Sequence, residues 1–441
     1  MNYQSVPTEI PTIGPAKISS PVQKKEYNNI CNFVHEEERV LLDINPESIM
    51  DKIRNKEAVA SFEMAGPREK IYFDPSKLKC AVVTCGGLCP GINDIIRALV
   101  LELYYGYRVR HVFGIRYGLQ GFIPKYGHDL VDLTPHVVTN ILEMGGSILG
   151  SSRGPQDIDE IVDCLERSNI SLLFMIGGDG TIMAASKIAD HISEKGLNIS
   201  VIAIPKTIDN DIFMVSRSFG FETAVEVATQ AIRGAHNEAE SYPKGIGMIK
   251  LMGRYSGFIA ATAALAEQSV NFVLIPEIDF DLDGENGLLN KLGKRLADRN
   301  HCVIVVAEGA GQKYFESAEN SCDESGNIRL KDIGMYLKDV ITGHFSKNNI
   351  EISLKYIDPS YMIRSLPANA NDSIFCSFLA RNAVHAGMAG KTKMLIGHWN
   401  DYFVHIPLSA TAGKRKQVDP HGPLWRSVLE STGQGALKND L

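Results

Sequence analysis

The chain has 441 residues, 44% hydrophobic and 22% charged, with a formal net charge of -7. These values suit a soluble globular protein of two or three domains with a large core. They argue against a nucleic-acid partner, because no basic excess exists to neutralise phosphates, and against a membrane location, because no run of about 18 apolar residues occurs.

Residues 1 to about 75 begin polar and proline-rich, then carry scattered acids, and read as an extension. The start lacks the basic and apolar stretches of a secretory signal. The eight cysteines form no CxxC pair and no zinc-like set with histidine, so reduced thiols in the cytoplasm are expected. From Lys79 the pattern changes. The apolar run 80–85 reads as a strand and "GGLCPG" as a turn, and Ile92, Ile95, Ile96, Leu99, Val100 and Leu103 mark one helical face. A strand at 171–176 follows, then the "GGDG" turn and a stripe of Ile182, Ala185, Ile188, Ala189 and Ile192. A strand at 201–204 runs into a polar loop, after which Ala224, Val227, Ala228, Ala231, Ile232 and Ala235 share a face. Further strands are read at 246–252, 272–275, 302–307 and 393–399, with a helix through Leu288, Leu289, Leu292 and Leu296. "ENSCDESGNIR", 319–329, reads as an exposed loop.

Apolar, non-alternating strands separated by helices indicate parallel sheets covered on both faces. The expected fold class is α/β, with two doubly wound, largely parallel-sheet (Rossmann-like) domains. Ligands in such folds sit outside the carboxyl ends of strands. Five loops qualify. "CGGLCPGIND" (85–94) lets the backbone approach a ligand and offers a helix N-terminus to an anion, although Gly-Gly turns are also common structural features. In "IGGDGTIMAA", three glycines around Asp179 make room for a phosphate chain, and Thr181 reads as the helix cap. Asp179 suits magnesium, which prefers hard oxygen ligands; a glycine-rich turn with an acidic cap is the alternative.

The third loop is "PKTIDND". Lys206 can bear on a phosphoryl group, Thr207 can hydrogen-bond to one, and Asp209 and Asp211, with one residue between them, need a cation nearby. A general base beside a carboxylate near a metal serves phosphoryl transfer to an alcohol; an Asx-type turn in water is the alternative. Arg254 in "KLMGRYSGF" can clamp phosphoryl oxygens, and Glu308 in "VAEGAG" can accept sugar hydroxyls. In "LKYIDPSYMIR", Lys355, Tyr361 and Arg364 suit a phosphate monoester or make a surface salt-bridge patch.

In that order and spacing, "GGDGT", "PKTIDND" and "MGRYSGF" resemble the phosphofructokinase family. With "YIDPSYMIR", the chain is similar to the long, pyrophosphate-type lineage of plants and trypanosomatids, in its ATP-using branch. The resemblance spans about residues 78 to 406; "GGDGT" alone also occurs in lipid and NAD kinases. It implies a nucleotide site at Gly86, Arg153, Gly178, Asp179, Gly180 and Thr181, with Mg²⁺ on Asp179. It implies Asp209 as the base that deprotonates the 1-hydroxyl of fructose 6-phosphate, with Lys206, Thr207, Asp211 and Arg254 at the transferring phosphoryl. Thr207, Ile208, Asp209, Met252, Gly253, Arg254 and Glu308 fall at sugar-binding positions, and Lys355, Tyr361 and Arg364 at the 6-phosphate clamp. The implied organisation is an N-terminal extension (1–75), a nucleotide-binding domain (76–222 plus 368–406), a sugar-phosphate-binding domain (223–367) and a C-terminal tail (407–441).

Pyrophosphate-using relatives carry "GGDD", whose second carboxylate would repel and crowd a nucleotide α-phosphate. Gly180 leaves that space clear, so ATP is the expected donor. Lys206 is usual in pyrophosphate users, and the pyrophosphate-dependent enzyme is the alternative. A silent, nucleotide-sensing regulatory subunit would be expected to lack the base or metal position, whereas Asp179, Asp209 and Arg254 are all present. Short bacterial members carry an arginine where this chain has Gly245, which makes a cross-subunit 6-phosphate site and bacterial-type allosteric control questionable here. A cytoplasmic homo-oligomer, dimer or tetramer, binding fructose 6-phosphate and ATP, is the implied state. The extension and tail are expected to serve subunit packing or regulation.

Overall fold

The computed structural model describes residues 6–24, 33–315 and 329–439. Apart from Arg329, the loop expected at 319–329 lies outside them. Two compact units are present. Unit 1 comprises Met1–Thr207, Ile212–Gly220 and Leu366–Arg415; unit 2 comprises Ile208–Asp211, Phe221–Ser365 and Lys416–Leu441.

Fifteen strands occur among the described residues. The first seven are β1 (Ile18–Ser19), β2 (Arg39–Leu41), β3 (Ser61–Met64), β4 (Lys70–Ile71), β5 (Lys79–Thr84), β6 (His111–Ile115) and β7 (Val131–Asp132). Then come β8 (Leu172–Gly177), β9 (Ser200–Pro205), β10 (Gly245–Leu251), β11 (Phe272–Leu274) and β12 (His301–Ala307). The last are β13 (Ser353–Ile357), β14 (Met394–Trp399) and β15 (Tyr402–Pro407). Unit 1 holds a nine-stranded sheet in the order β2-β3-β15-β14-β9-β8-β5-β6-β7, with β14 through β6 parallel. Unit 2 holds a parallel four-stranded sheet, β11-β12-β10-β13. Every residue of β8 and β9 is buried, as strands covered on both faces require. The predicted helical stripes are the buried faces of helices Ile92–Leu101, Asp179–Glu194 and Leu288–Arg299. In helix Phe221–Glu240, Ala224, Ala228, Ile232 and Ala235 are buried, while Val227 and Ala231 lie at the edge of the stripe.

The structure departs from the expected boundaries at both ends. β2 and β3 are not a detached extension; they pair with each other, and β3 pairs with β15. Residues 408–415 pack with unit 1, whereas 416–439 pack with unit 2, where helix Pro423–Thr432 buries Trp425 and Val428. These segments are short and locally polar, so their apolar periodicity is too brief to read.

A buried ionic cluster fastens β3 to the rest of unit 1. The Glu63 carboxylate receives Arg68 Nη2 at 2.6 Å, Lys391 Nζ at 2.9 Å and His405 Nδ1 at 3.2 Å, all four side chains being at most 7% exposed. Burial alone would raise the Glu63 pKa, but the hydrogen bond and charge of His405 and the charge of Lys391 outweigh it and hold the carboxyl far below its usual range. Its stabilising contribution is therefore present above the ordinary glutamate pKa and lost as pH falls from there toward the folded value. Glu63→Gln strands buried cations and is expected to cost about 3–5 kcal/mol. Urea unfolding at neutral pH measures this, and a change within about 0.5 kcal/mol would remove Glu63 from the anchoring role.

Candidate active site

In unit 1 the sites lie at the carboxyl ends of β5, β8 and β9. After β5, Gly86 has φ +83°, a left-handed conformation that favours glycine. Its N–H donates to the Ser152 carbonyl at 3.2 Å, and Ser151 Oγ donates to its carbonyl at 2.6 Å. This pairing brings exposed Arg153 beside the first loop. Cys85 and Cys89 are buried thiols, and burial pushes the Cys85 thiol up to about 12. A thiol so held is a poor nucleophile at neutral pH.

After β8, the helix begins at Asp179, three residues earlier than a cap at Thr181 requires. Gly178 is the N-cap, and its carbonyl accepts from the N–H groups of Thr181 and Ile182. Thr181 is buried in the first turn, where a Cβ on Gly177 would come within 2.1 Å of its hydroxyl. Gly180 is different. Its φ lies outside the left-handed range, it is exposed, and a Cβ there would meet nothing within 4 Å. The fold has no need of glycine at this position. Asp179 is not alone: Arg415 Nε lies 3.2 Å from its Oδ2. After β9, buried Lys206 donates to the Gly87 carbonyl at 2.7 Å, joining the first and third loops. Ser218 Oγ donates to the Thr207 carbonyl at 2.7 Å.

In unit 2, Ile208–Asp211 and the loops after β10 and β12 gather four charged residues. Asn210 takes φ +54°, which asparagine tolerates, and this bends the segment between the two aspartates. Ile208 is buried, so only its backbone is open to a ligand. Ser256 Oγ donates to the Asp209 carbonyl at 3.3 Å, and the Lys416 N–H donates to the Asp211 carbonyl at 2.8 Å. The surface of Asp209 is only partly covered, yet its Oδ1 is shielded from solvent. Burial raises its pKa well above the usual value. The charges of Asp211 and Glu308 push the same way, and Arg254 opposes them.

Gly253 has φ +128°, and a Cβ there would meet the Ser256 carbonyl at 2.5 Å, so glycine is required for the turn from Met252 to Arg254. The Glu308 N–H donates to the Leu251 carbonyl at 2.9 Å and the Gly309 N–H to the Gly253 carbonyl at 3.1 Å, which locks the two loops together. Burial raises the Glu308 carboxyl, against the charges of Arg254 and Lys250.

The cations predicted for a phosphate monoester each lie near an aromatic ring. The Arg364 guanidinium lies 4.8 Å from the exposed Tyr361 ring, whereas Lys355 Nζ lies 5.0 Å from the Tyr242 ring. Lys355 pairs with Gly247, four residues before the end of β10, so it is remote from Arg254 along the strand. The structure therefore brings Tyr361 and Arg364 together and seats Lys355 against Tyr242.

Three cations were missed in the sequence reading. Arg415 meets Asp179, as described. Lys416 Nζ lies 5.1 Å from the Phe258 ring, and burial, opposed by the Asp211 charge, brings its amine down to about 7. Lys250 joins Asp332 at 3.1 Å and Asp358 at 2.8 Å. The available signals were the "KRK" run at 414–416 and a single cation within the apolar strand "GIGMIKL".

Glycine-rich turns at parallel-strand ends, a helix start bearing one carboxylate and a second set of carboxylates with arginine define a nucleotide-using α/β enzyme of the doubly wound class. The chain belongs to the phosphofructokinase family, whose profile, described as "Phosphofructokinase", matches residues 79–387. An "ATP-dependent 6-phosphofructokinase" of Borreliella burgdorferi is 50% identical over 439 residues, 98% of each chain. One of that name from Amycolatopsis methanolica is 47% identical, covering 92% of this chain and 89% of its own. A crystal structure titled as a pyrophosphate-dependent phosphofructokinase from Marinobacter aquaeolei shares the fold, with a TM-score of 0.66 at 21% identity over 81% of this chain and 92% of its own.

Proposed function

We propose that the protein acts as an ATP-dependent 6-phosphofructokinase, moving the γ-phosphoryl group of ATP to the 1-hydroxyl of fructose 6-phosphate to give fructose 1,6-bisphosphate and ADP. The observation that carries this reading is the likeness over 98% of both chains to a relative named ATP-dependent 6-phosphofructokinase. Gly180 supports ATP as donor, since an open, glycine-indifferent backbone position leaves space for a nucleotide α-phosphate.

Asp209 takes the hydroxyl proton. Its raised pKa makes it a stronger base than an ordinary aspartate. Arg254 and Lys206 bear the charge of the moving phosphoryl, with Thr207 and Asp211 orienting it. Little covalent chemistry falls to the protein, so positioning and electrostatics carry the rate. Gly86, Arg153, Gly178 and Thr181 line the nucleotide side. Met252, Gly253 and Glu308 hold the sugar, and Tyr361 with Arg364 hold its phosphate. Asp179, a hard oxygen donor at an open helix start, fits magnesium, which keeps waters and takes its other ligands from substrate phosphates. Bound there, the ion neutralises phosphate charge. Arg415 balances Asp179 in the structure as it stands. Lys416, whose amine burial brings down to about 7 beside Asp211, becomes more fully protonated when an anion arrives. A cytoplasmic homo-oligomer is part of this reading; no helix among the described residues is long and apolar enough to cross a membrane.

Initial rates of purified protein with fructose 6-phosphate and Mg²⁺, run in parallel with ATP and pyrophosphate, test the reading. Turnover with ATP is expected. Turnover with pyrophosphate alone would assign the chain to the other donor class, and none with either would leave a regulatory subunit.

A further inference from the structure

We propose that unit 2 carries a transition-metal site built from His236, Glu240 and His301, at the end of the sheet opposite the catalytic loops. His236 and Glu240 are four residues apart on helix Phe221–Glu240 and so share one face. His301 opens β12, which runs beside β10. His236 Nε2 lies 3.6 Å from one Glu240 oxygen, and His301 Nε2 lies 3.9 Å from the other. One ligand atom from each residue can be chosen so that all three lie within 4.8 Å of one another.

A tetrahedral ion with bonds of about 2.0–2.2 Å needs ligand atoms about 3.3–3.6 Å apart. The Glu240 contacts are already near that spacing, and closing the triangle takes shifts of roughly 1 Å. Glu240 is 53% exposed and can swing, whereas the two imidazoles, at 23% and 21%, are seated but reachable. The tautomer of His301 is also set. Its Nδ1 lies 3.1 Å from the Arg299 carbonyl, which can only accept, so Nδ1 donates there and Nε2 is the nitrogen left facing Glu240. A carbonyl holding the far nitrogen is the usual outer partner of a metal-bound histidine. The rings lie 5.5 Å apart at 59°, so each can point a nitrogen at a common centre.

Two imidazoles and one carboxylate suit zinc, cobalt, nickel or copper rather than magnesium, with water completing the set. The ion would clip the last turns of the helix to the start of β12. The six-residue rise from His301 to Ala307 puts it about 20 Å from the loop carrying Glu308. It is therefore separate from the Mg²⁺ chemistry and independent of the phosphoryl-transfer reading. The competing account is a pair of ordinary histidine–glutamate ion pairs.

Equilibrium dialysis of the untagged full chain against Zn²⁺, with visible spectroscopy of the Co²⁺ form, tests the site. One tight equivalent per chain is expected, with a visible Co²⁺ band and a raised melting temperature in Zn²⁺. His236→Ala and His301→Ala are each expected to weaken that equivalent at least tenfold and remove the band. Glu240→Gln, at an exposed position that spares the fold, should weaken it as well. His236→Gln and His301→Gln serve if an alanine variant melts early. Absence of a tight equivalent in wild type, or binding and spectrum unchanged in folded variants, overturns the proposal.

Discussion

Asp209→Ser is expected to lower kcat by about 10²–10⁴, with little change in KM for fructose 6-phosphate, because a general base acts on the proton in flight rather than on ground-state binding. Burial, and the neighbouring charges of Asp211 and Glu308, raise the Asp209 pKa above the ordinary carboxylate range. The wild-type kcat/KM should therefore fall with pH on an acid limb lying above that range, and the residual activity of the serine variant should lack this limb. The same shift has a stability consequence. A carboxyl whose folded pKa is raised binds its proton more tightly in the folded state, so it destabilises progressively as pH rises through that pKa. Asp209→Asn, neutral and of the same shape, should melt higher than wild type at neutral pH, by on the order of 2 °C, while being nearly inactive. Steady-state kinetics across pH and a thermal melt decide both points. Retained turnover would remove Asp209 as the base, and an unchanged or lower melting point would show that its charge costs the fold nothing.

Gly180→Asp is expected to cut kcat/KM for ATP about 10²-fold or more, the scale of a like-charge juxtaposition worth several kcal/mol. The test is clean because the fold does not use the glycine. A Cβ there meets nothing within 4 Å, the backbone is outside the left-handed range, and an acid in the first turn of Asp179–Glu194 suits the helix dipole. The melting temperature should hold or rise, KM for fructose 6-phosphate should not move, and any pyrophosphate turnover should survive. ATP kinetics equal to wild type in a folded variant would end the argument that the missing side chain selects the donor.

The legibility of this protein divides along physical lines. β5, β8, β9, β10 and β12 could be read because strands covered on both faces must be apolar throughout, and that demand is written in consecutive residues. Their carboxyl-end loops followed from the rule that ligands gather there, so Asp179, Asp209, Arg254 and Glu308 could be named by position and chemistry alone. β2, β3 and β15 carry no comparable signal. They sit toward an edge, and their pairing is specified by long-range partners such as Glu63 with His405 and Lys391.

Helix starts were legible only approximately. Thr181 looked like a cap because threonine often is one, but Gly178 takes the role, since backbone dihedrals decide where a helix opens. The family, the parallel-sheet class and the residue types at the strand ends are written in consecutive residues, because burial and loop chemistry act on neighbours in the chain. Folding in three dimensions is what brings Arg415 to Asp179, lowers the Lys416 amine to about 7 beside Asp211 and sets Lys355 against Tyr242. Those relations depend on distance and desolvation between groups far apart in sequence, which linear order does not record.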